Sequence, residues 1–466
     1  MLFSSIPFLF YFLPLVLILY FVVPFRFKNA VLFISSLFFY GWGEPKYLFF
    51  MLFSITQGYV FGLLIEKYKN KKRSKFFLTA SVLVSLLLLG YCKYADFFIE
   101  NFNALTGLSV PLLKIALPIG ISFYTFQILS YTVDVYRGDV CAQKSYINLG
   151  AYIAMFPQLI AGPIVRYSDI AVQLEERDIS LKKISSGITR FVVGLSKKIL
   201  IANVLGEFVA IFKETDSKTI LFYWGYAIAY MLHVYFDFSG YSDMAIGLGK
   251  IFGFNFLENF NYPYISASIT EFWRRWHMSL GSWFRDYLYI PLGGNRVSKW
   301  RWYFNIFVVW MATGLWHGAA WNFVVWGLFF AVFLIAEKVF LLKSISKLKV
   351  LNHLYVLFFV LISFIIFDSA SLKEAFSVIL GLFGVGGIPI YNIETLYYFS
   401  GFAVIILIGI IGSTPLPKKI YEYLNGYKLF SALISVVEPI LVFALLVICT
   451  AFLIDGSFNP FLYFRF

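Results

Sequence analysis

The chain has 466 residues, is 60% hydrophobic and 14% charged, and has a mean hydropathy of +0.79, whereas a soluble domain is about 45–50% apolar and about 25% charged. That much apolar surface has no place in a water-soluble globule, so a soluble enzyme, a disordered chain and a secreted disulfide scaffold are excluded. The apolar runs are long and unbroken, unlike the alternating segments of about ten residues of an outer-membrane barrel. The expectation is therefore an all-α polytopic membrane protein, with residues 1–466 forming one membrane domain.

A spanning helix needs about 20 mostly apolar residues. The first run, Leu2 to Val23, has no Lys or Arg before it and no small-residue cleavage site, so it reads as an uncleaved first helix rather than a secretory signal. Arg26 and Lys28 follow it, which puts that end inside and the N-terminus outside. Further apolar runs cover roughly 30–42, 46–65, 76–92, 117–135 (broken by glycine), 145–165, 186–212, 219–236, 303–316, 319–336, 351–367, 397–412 and 431–454. They predict about ten to twelve crossings plus re-entrant or buried pieces. The net charge of +13 fits this arrangement without nucleic acid, because cytoplasmic Lys and Arg loops face anionic lipid. The segment EKYKNKKRSK at 66–75 holds six bases and one acid and belongs inside. So do the bases at Arg296, Lys299 and Arg301, at Lys338, Lys343, Lys347 and Lys349, and at Lys418, Lys419 and Lys428. The acidic segment 368–396 and the tail DGSFNPFLYFRF belong outside. This makes 303–336 a hairpin that starts and ends inside, with His317 at its turn. An arm of about 14 residues rises only about 21 Å, short of the roughly 30 Å hydrocarbon core, so His317 is expected within the membrane, toward its outer half.

The stretch 235–300 is too polar for a bilayer. It opens YFDFSGYSDMAIGLG and continues through NYPYISASITEFWRRWHMSLGSWFRDYLYIPLGGNR. Asp237, Ser239, Ser242 and Asp243 lie close to apolar runs, where ionisable groups are costly and point to function; an interfacial loop is the plainer alternative. Irregular backbone at that depth must be buried in protein or line a wet cavity. Trp273, Trp276, Leu280, Trp283 and Tyr287 are spaced 3, 4, 3, 4, which predicts one helical face with His277 on it. Arg274, Arg275, Arg285 and Asp286 fall away from its centre. The arginines suit the phosphates of a charged donor, and equally suit lipid headgroups or Asp286.

The catalytic inventory is small. Cys92, Cys141 and Cys449 are far apart and form neither a zinc nor a redox motif, and no metal is expected. GxSxG, HExxH, Walker A and GxGxxG are absent. Of the four histidines, His353 reads as interfacial and His233 as part of a helix beside the polar stretch. A single histidine in an apolar run is more often structural. His317 stands out in GLWHGAAW, where Gly314, Gly318, Ala319 and Ala320 permit close approach of helices or substrate. Burial there suits a neutral general base. From the residues alone, a histidine-dependent membrane enzyme and a transporter remain equally open.

The chain resembles the membrane-bound O-acyltransferase family, and within it the bacterial branch that includes the alginate and peptidoglycan O-acetylation membrane proteins. The resemblance runs from MLFSS and FYGWGEPKYL at 39–48 through LPIGISFYTFQILSYTVDVYRG at 117–138, FPQLIAGPIVRY at 156–167 and YFDFSGYSDMAIG at 235–247. It continues in FWRRWHMSLGSWFRDYLYIPLGGNR at 272–296, GLWHGAAWNFVVWG at 314–327 and the ending PFLYFRF. It implies a curved wall of helices around a central tunnel, with a catalytic core over approximately 117–336. It implies that His317 is the catalytic base and that His277, in WRRWH forty residues earlier, is the second signature position. It also implies a cytoplasmic thioester donor, acetyl-CoA, with no resident cofactor. By the same resemblance the acetyl group is expected to end on an extracytoplasmic polysaccharide, with a separate serine-nucleophile acetyltransferase of the SGNH type completing the relay. The setting it implies is the bacterial cytoplasmic membrane, with lipid as a partner. Arg274, Arg275, Asp237, Asp243 and Asp286 are the further candidates for substrate binding, the three acids also serving as braces for the polar stretch. The rival within the family is D-alanyl transfer to teichoic acid from a carrier protein.

Overall fold

Apolar runs of this length must satisfy their backbone internally, and helices do so. In the computed structural model every regular element is helical, and no strand occurs among the described residues, which are 1–43, 45–160, 162–345, 347 and 349–456. The ending PFLYFRF and most of the tail expected outside lie beyond the described residues. Among the described residues six segments are long and apolar enough to cross a bilayer: Pro45–Lys67, Lys72–Thr106, Trp321–Ser344, Leu351–Asp368, Ile393–Gly412 and Lys428–Asp455. The protein is thus a multi-pass α-helical membrane protein. These six qualify by length and apolar composition alone, against an expectation of about ten to twelve crossings. Other helices, among them Phe25–Gly41, Ile121–Arg137 and Lys299–His317, are shorter or more polar.

The chain divides into two compact units, one of residues Met1–Phe191 with Met244–Leu257, the other of Val192–Asp243 with Glu258–Phe466. In the first, the helix Leu48–Lys67 packs on Lys72–Leu89 and on Ile121–Arg137. Gly62 makes this contact possible, since a Cβ there would fall 2.5 Å from the Tyr131 hydroxyl. The glycine in the run 117–135 starts a helix rather than breaking one: Gly120, at φ 75°, precedes Ile121–Arg137, and nearly all of that helix is buried. Part of the phenylalanine content is spent here, where Phe3, Phe8, Phe12, Phe39 and Phe156 form a buried ring cluster.

In the second unit the two arms Lys299–His317 and Trp321–Ala336 form a closely packed hairpin. Glycines set the approach. A Cβ on Gly314 would fall on the Phe323 carbonyl, and one on Gly327 on the Trp310 carbonyl. The first arm has 19 residues and rises about 28 Å, not the 21 Å expected from its apolar part, because polar Lys299–Trp302 also join the helix. Arm length therefore does not fix the depth of His317. Leu351–Asp368 packs on the second arm and is the most buried of the six spans, whereas the peripheral Lys428–Asp455 is almost wholly exposed.

The polar stretch divides differently from expectation. Residues 235–251 are not irregular but complete a single helix, Ile220–Ile251, of 32 residues. Its acids are neutralised within the second unit. Lys198 pairs with Asp237 at 2.5 Å, both fully buried, and Lys197 pairs with Asp243 at 2.6 Å. Both lysines lie in a π-helical turn, Lys197–Ala202, which widens the helix locally and redirects side chains.

Candidate active site

The irregular backbone lies at 252–268 and around His277. The expected continuous helix through Trp273 and Tyr287 is interrupted. One short helix, Ile269–Arg275, ends at Trp276, and a second, Met278–Phe284, starts after His277. His277 has φ 44° and ψ 52°, a left-handed conformation that costs a non-glycine residue about 1–3 kcal/mol. The segment 259–261 supplies what the broken helix loses. The Asn259 backbone carbonyl accepts from the Met278 amide at 3.0 Å, and the Asn261 amide donates to the Arg275 carbonyl at 2.9 Å. The 3, 4, 3, 4 spacing survives the break because both short helices bury their aromatic side: Trp276, Leu280 and Trp283 are all buried.

The start of the first short helix is held from a distance. The buried Glu337 carboxylate accepts from the Ile269 amide at 2.5 Å and from the Thr270 amide and hydroxyl at 2.9 and 2.6 Å. An anion at a helix N-terminus satisfies orphan donors and meets the helix dipole favourably. Ser268 adds its own cap to the Glu271 amide. The helix carrying Trp273, Arg274 and Arg275 is thereby fixed against the hairpin's second arm.

His277 is 1% exposed. Its Nδ1 lies 3.1 Å from Asn259 Oδ1, and its Nε2 is buried without a hydrogen-bond partner among the described residues. Phe238 meets the ring edge-on at 4.7 Å between centroids. His317 ends the hairpin's first arm, 5% exposed, inside a cage of Trp316, Trp326 and Phe367 with centroids 4.9, 4.9 and 5.3 Å away. Gly318 is required there, because a Cβ would collide with the Phe323 ring. Trp316 is in ring contact with both imidazoles, 5.9 Å from His277 and 4.9 Å from His317. The structure thus brings together the two histidines that the sequence singled out.

A cavity of about 900 Å³ has His277 in its lining, at the upper end of the roughly 300–1,000 Å³ of small-molecule sites. One wall is a stripe of the Lys299–His317 helix: Trp302, Ile306, Val309, Trp310 and Thr313. That stripe is about 17 Å long and ends one turn before His317. His277, Trp273 and Thr270 also line it, and three cations, Arg274, Arg285 and Lys338, stand in the lining.

The other candidates separate by role. Arg274 is exposed to the cavity and has no carboxylate partner among the described residues. Arg275 is outside the lining and is bound to Glu271 at 2.9 Å and to the Asn261 carbonyl at 3.1 Å, so it braces the turn. Asp286 grips Arg285 through two hydrogen bonds of 2.6 and 3.0 Å, which hold the guanidinium pKa above its ordinary value. Asp237 and Asp243 are ion-paired as described and are not in the cavity lining. His233 bonds the Ala202 carbonyl at 2.6 Å and His353 approaches the Ser266 carbonyl at 3.1 Å, both structural contacts. No group of three or more His, Cys, Asp or Glu able to hold a metal occurs among the described residues. Asn259, Glu337 and Lys338 were not candidates from the sequence.

The sequence pattern of the MBOAT, membrane-bound O-acyltransferase family, matches residues 140–367, which include both histidines and the whole cavity lining. The probable alginate O-acetylase AlgI of Azotobacter vinelandii is 38% identical over the full length of both chains. The chain belongs to the membrane-bound O-acyltransferase family. As a member it is an O-acyltransferase, and the transporter reading is set aside. The peptidoglycan O-acetyltransferase of Helicobacter pylori is 32% identical over 84% of this chain and 82% of its own. The teichoic acid D-alanyltransferase of Bacillus subtilis is 30% identical over 59% of this chain and 71% of its own.

Proposed function

We propose that this O-acyltransferase moves an acetyl group from acetyl-CoA on the cytoplasmic side to an extracytoplasmic polysaccharide. The observation that carries the reading is the cavity along the Lys299–His317 helix. It is long, apolar along its length and cationic in part of its lining, which suits an extended thioester with phosphates at one end. Its Trp302 end follows the basic run Arg296, Lys299 and Arg301, the end that loop charge assigns to the cytoplasm, with the N-terminus outside and the protein in the bacterial cytoplasmic membrane. Full-length similarity to an alginate O-acetylase supports acetyl as the acyl group.

His317 takes the proton of an attacking hydroxyl as its oxygen bonds to the thioester carbonyl carbon. The tetrahedral intermediate then collapses, the C–S bond breaks, and the imidazolium returns the proton to the leaving thiolate. His277, at the cavity wall, orients or polarises a reactant. The aromatic cage and the membrane keep water from the thioester. No acyl-histidine is needed. The hydroxyl belongs to the serine of an extracytoplasmic SGNH-type acetyltransferase, which passes the group on to the polysaccharide.

A test is protection of a cysteine placed in the cavity. Thr313→Cys, in a chain whose three native cysteines are replaced by serine, is expected to react with a thiol reagent in lipid nanodiscs and to be protected by acetyl-CoA. Protection by a D-alanyl carrier protein and not by acetyl-CoA would favour the teichoic acid branch.

A further inference from the structure

The geometry assigns Asn259 as the positioning residue that fixes His277 as the Nδ1–H tautomer, leaving Nε2 as a proton and hydrogen-bond acceptor at the cavity. The inference deepens the acyl-transfer reading and rests on it for the role of His277, though not for the tautomer itself.

The assignment follows from donors that admit one interpretation. The Ser279 backbone amide, which can only donate, lies 3.3 Å from Asn259 Oδ1, and the Ser279 hydroxyl donates to the same atom at 2.9 Å. The atom facing them is therefore the amide oxygen and not its nitrogen, since an NH2 group there would oppose donor to donor. His277 Nδ1 lies 3.1 Å from that same oxygen. A contact with an acceptor requires the hydrogen on Nδ1. In the neutral ring the other nitrogen is then bare. That atom, Nε2, is buried and has no partner in the second unit among the described residues, while His277 lines the cavity.

Asn259 does more than touch the ring. Its backbone carbonyl accepts from the Met278 amide, so one residue satisfies the two amides that follow His277 and holds the left-handed turn in place. Ring orientation, tautomer and backbone conformation are set by one side chain and its own carbonyl. The chemical consequence is a choice between the two roles open to His277. A bare Nε2 accepts a hydrogen bond from a hydroxyl and orients its oxygen lone pair toward the thioester. It has no hydrogen with which to polarise a carbonyl or stabilise an oxyanion. His277 is thus the acceptor that aligns the nucleophile, and the oxyanion must find its donors elsewhere.

The test is the tautomer of His277 in full-length protein in lipid nanodiscs, read by long-range proton–nitrogen correlation with 15N-histidine and assigned by loss of the signal in His277→Gln. The wild type is expected to show hydrogen on Nδ1 and a bare Nε2. Asn259→Leu is expected to lose that signature and to lower kcat about 10- to 100-fold, with the KM for acetyl-CoA unchanged. Asn259→Asp keeps an acceptor oxygen toward Nδ1 and is expected to restore both the signature and most of kcat. An Nε2–H ring in the wild type overturns the proposal, as does an Asn259→Leu protein that keeps the wild-type signature. If Asn259→Leu does not insert, the wild-type and Asn259→Asp spectra still decide. A correct tautomer in protein that turns over no acetyl-CoA would count against the donor reading and leave the assignment of Asn259 standing.

Discussion

The hairpin Lys299–His317/Trp321–Ala336 and the segment 259–289 each deliver one histidine to the same indole, and they do so by different physics. His317 sits at the end of a regular helix and is held by packing: glycines let the arms touch, and three aromatic rings surround the imidazole. His277 sits at a break between two short helices and is held by hydrogen bonds that Asn259 accepts, with Glu337 anchoring the helix before it. Packing fixes a position but does not choose a tautomer. A directed hydrogen bond does both. The proposed division of base and orienting roles between the two histidines gives the site reason to use both devices.

That contrast can be broken from either side. The largest effect is expected from His317→Ala, which removes the proposed base and should lower acetyl transfer about 10²- to 10⁴-fold with little change in thermal melting of the detergent-solubilised protein. His277→Ala should fall at the lower end of that range, about 10²-fold. An equal loss at both positions would erase the distinction between base and orienting group. Gly314→Leu attacks the packing device. Overpacking costs about 1–3 kcal/mol or more, so the melting temperature should fall and transfer with it, while the His277 tautomer stays unchanged. Glu337→Ala attacks the hydrogen-bond device at its anchor and leaves buried amides unsatisfied, at about 1–3 kcal/mol. Here the melting temperature should fall and the His277 ring signal should broaden or move. The smallest effect separates neighbouring arginines. Arg274→Ala should raise the KM for acetyl-CoA about tenfold with kcat retained, whereas Arg275→Ala, which loses only its bonds to Glu271 and Asn261, should leave that KM alone.

The two regions also differ in how far they can be read from sequence. The hairpin is nearly explicit: apolar arms, small residues around GLWHG, and a polar residue where none is cheap. Its one misjudged feature, the length of the first arm, arose because Lys299–Trp302 are polar yet helical. In the second region the residue types were legible and the backbone was not. A left-handed histidine is disfavoured locally, and it persists because Asn259 and Asn261, some 15 residues earlier, take up the backbone groups that the break exposes. No periodicity marks such a contact. Glu337 was hidden for a similar reason. It follows an apolar run and looks like the inner boundary of a span, while its partners lie nearly seventy residues away. The acids Asp237 and Asp243 were noticed as costly, but their partners Lys198 and Lys197 were not, because pairing across helices is a tertiary fact. Asp237→Ala would strand a buried lysine, at about 3–5 kcal/mol, which is a stability effect and not a loss of substrate contact.

The central claim is that a thioester lying along the Lys299–His317 helix is attacked with His317 as base. The most direct measurement is single-turnover release of coenzyme A from bound acetyl-CoA, wild type beside His317→Ala, in nanodiscs with an SGNH-type acceptor protein present. The account predicts acceptor-dependent release in the wild type, and in His317→Ala an unchanged affinity for acetyl-CoA with release slowed at least about a hundredfold. Wild-type release by well-folded His317→Ala protein would contradict it.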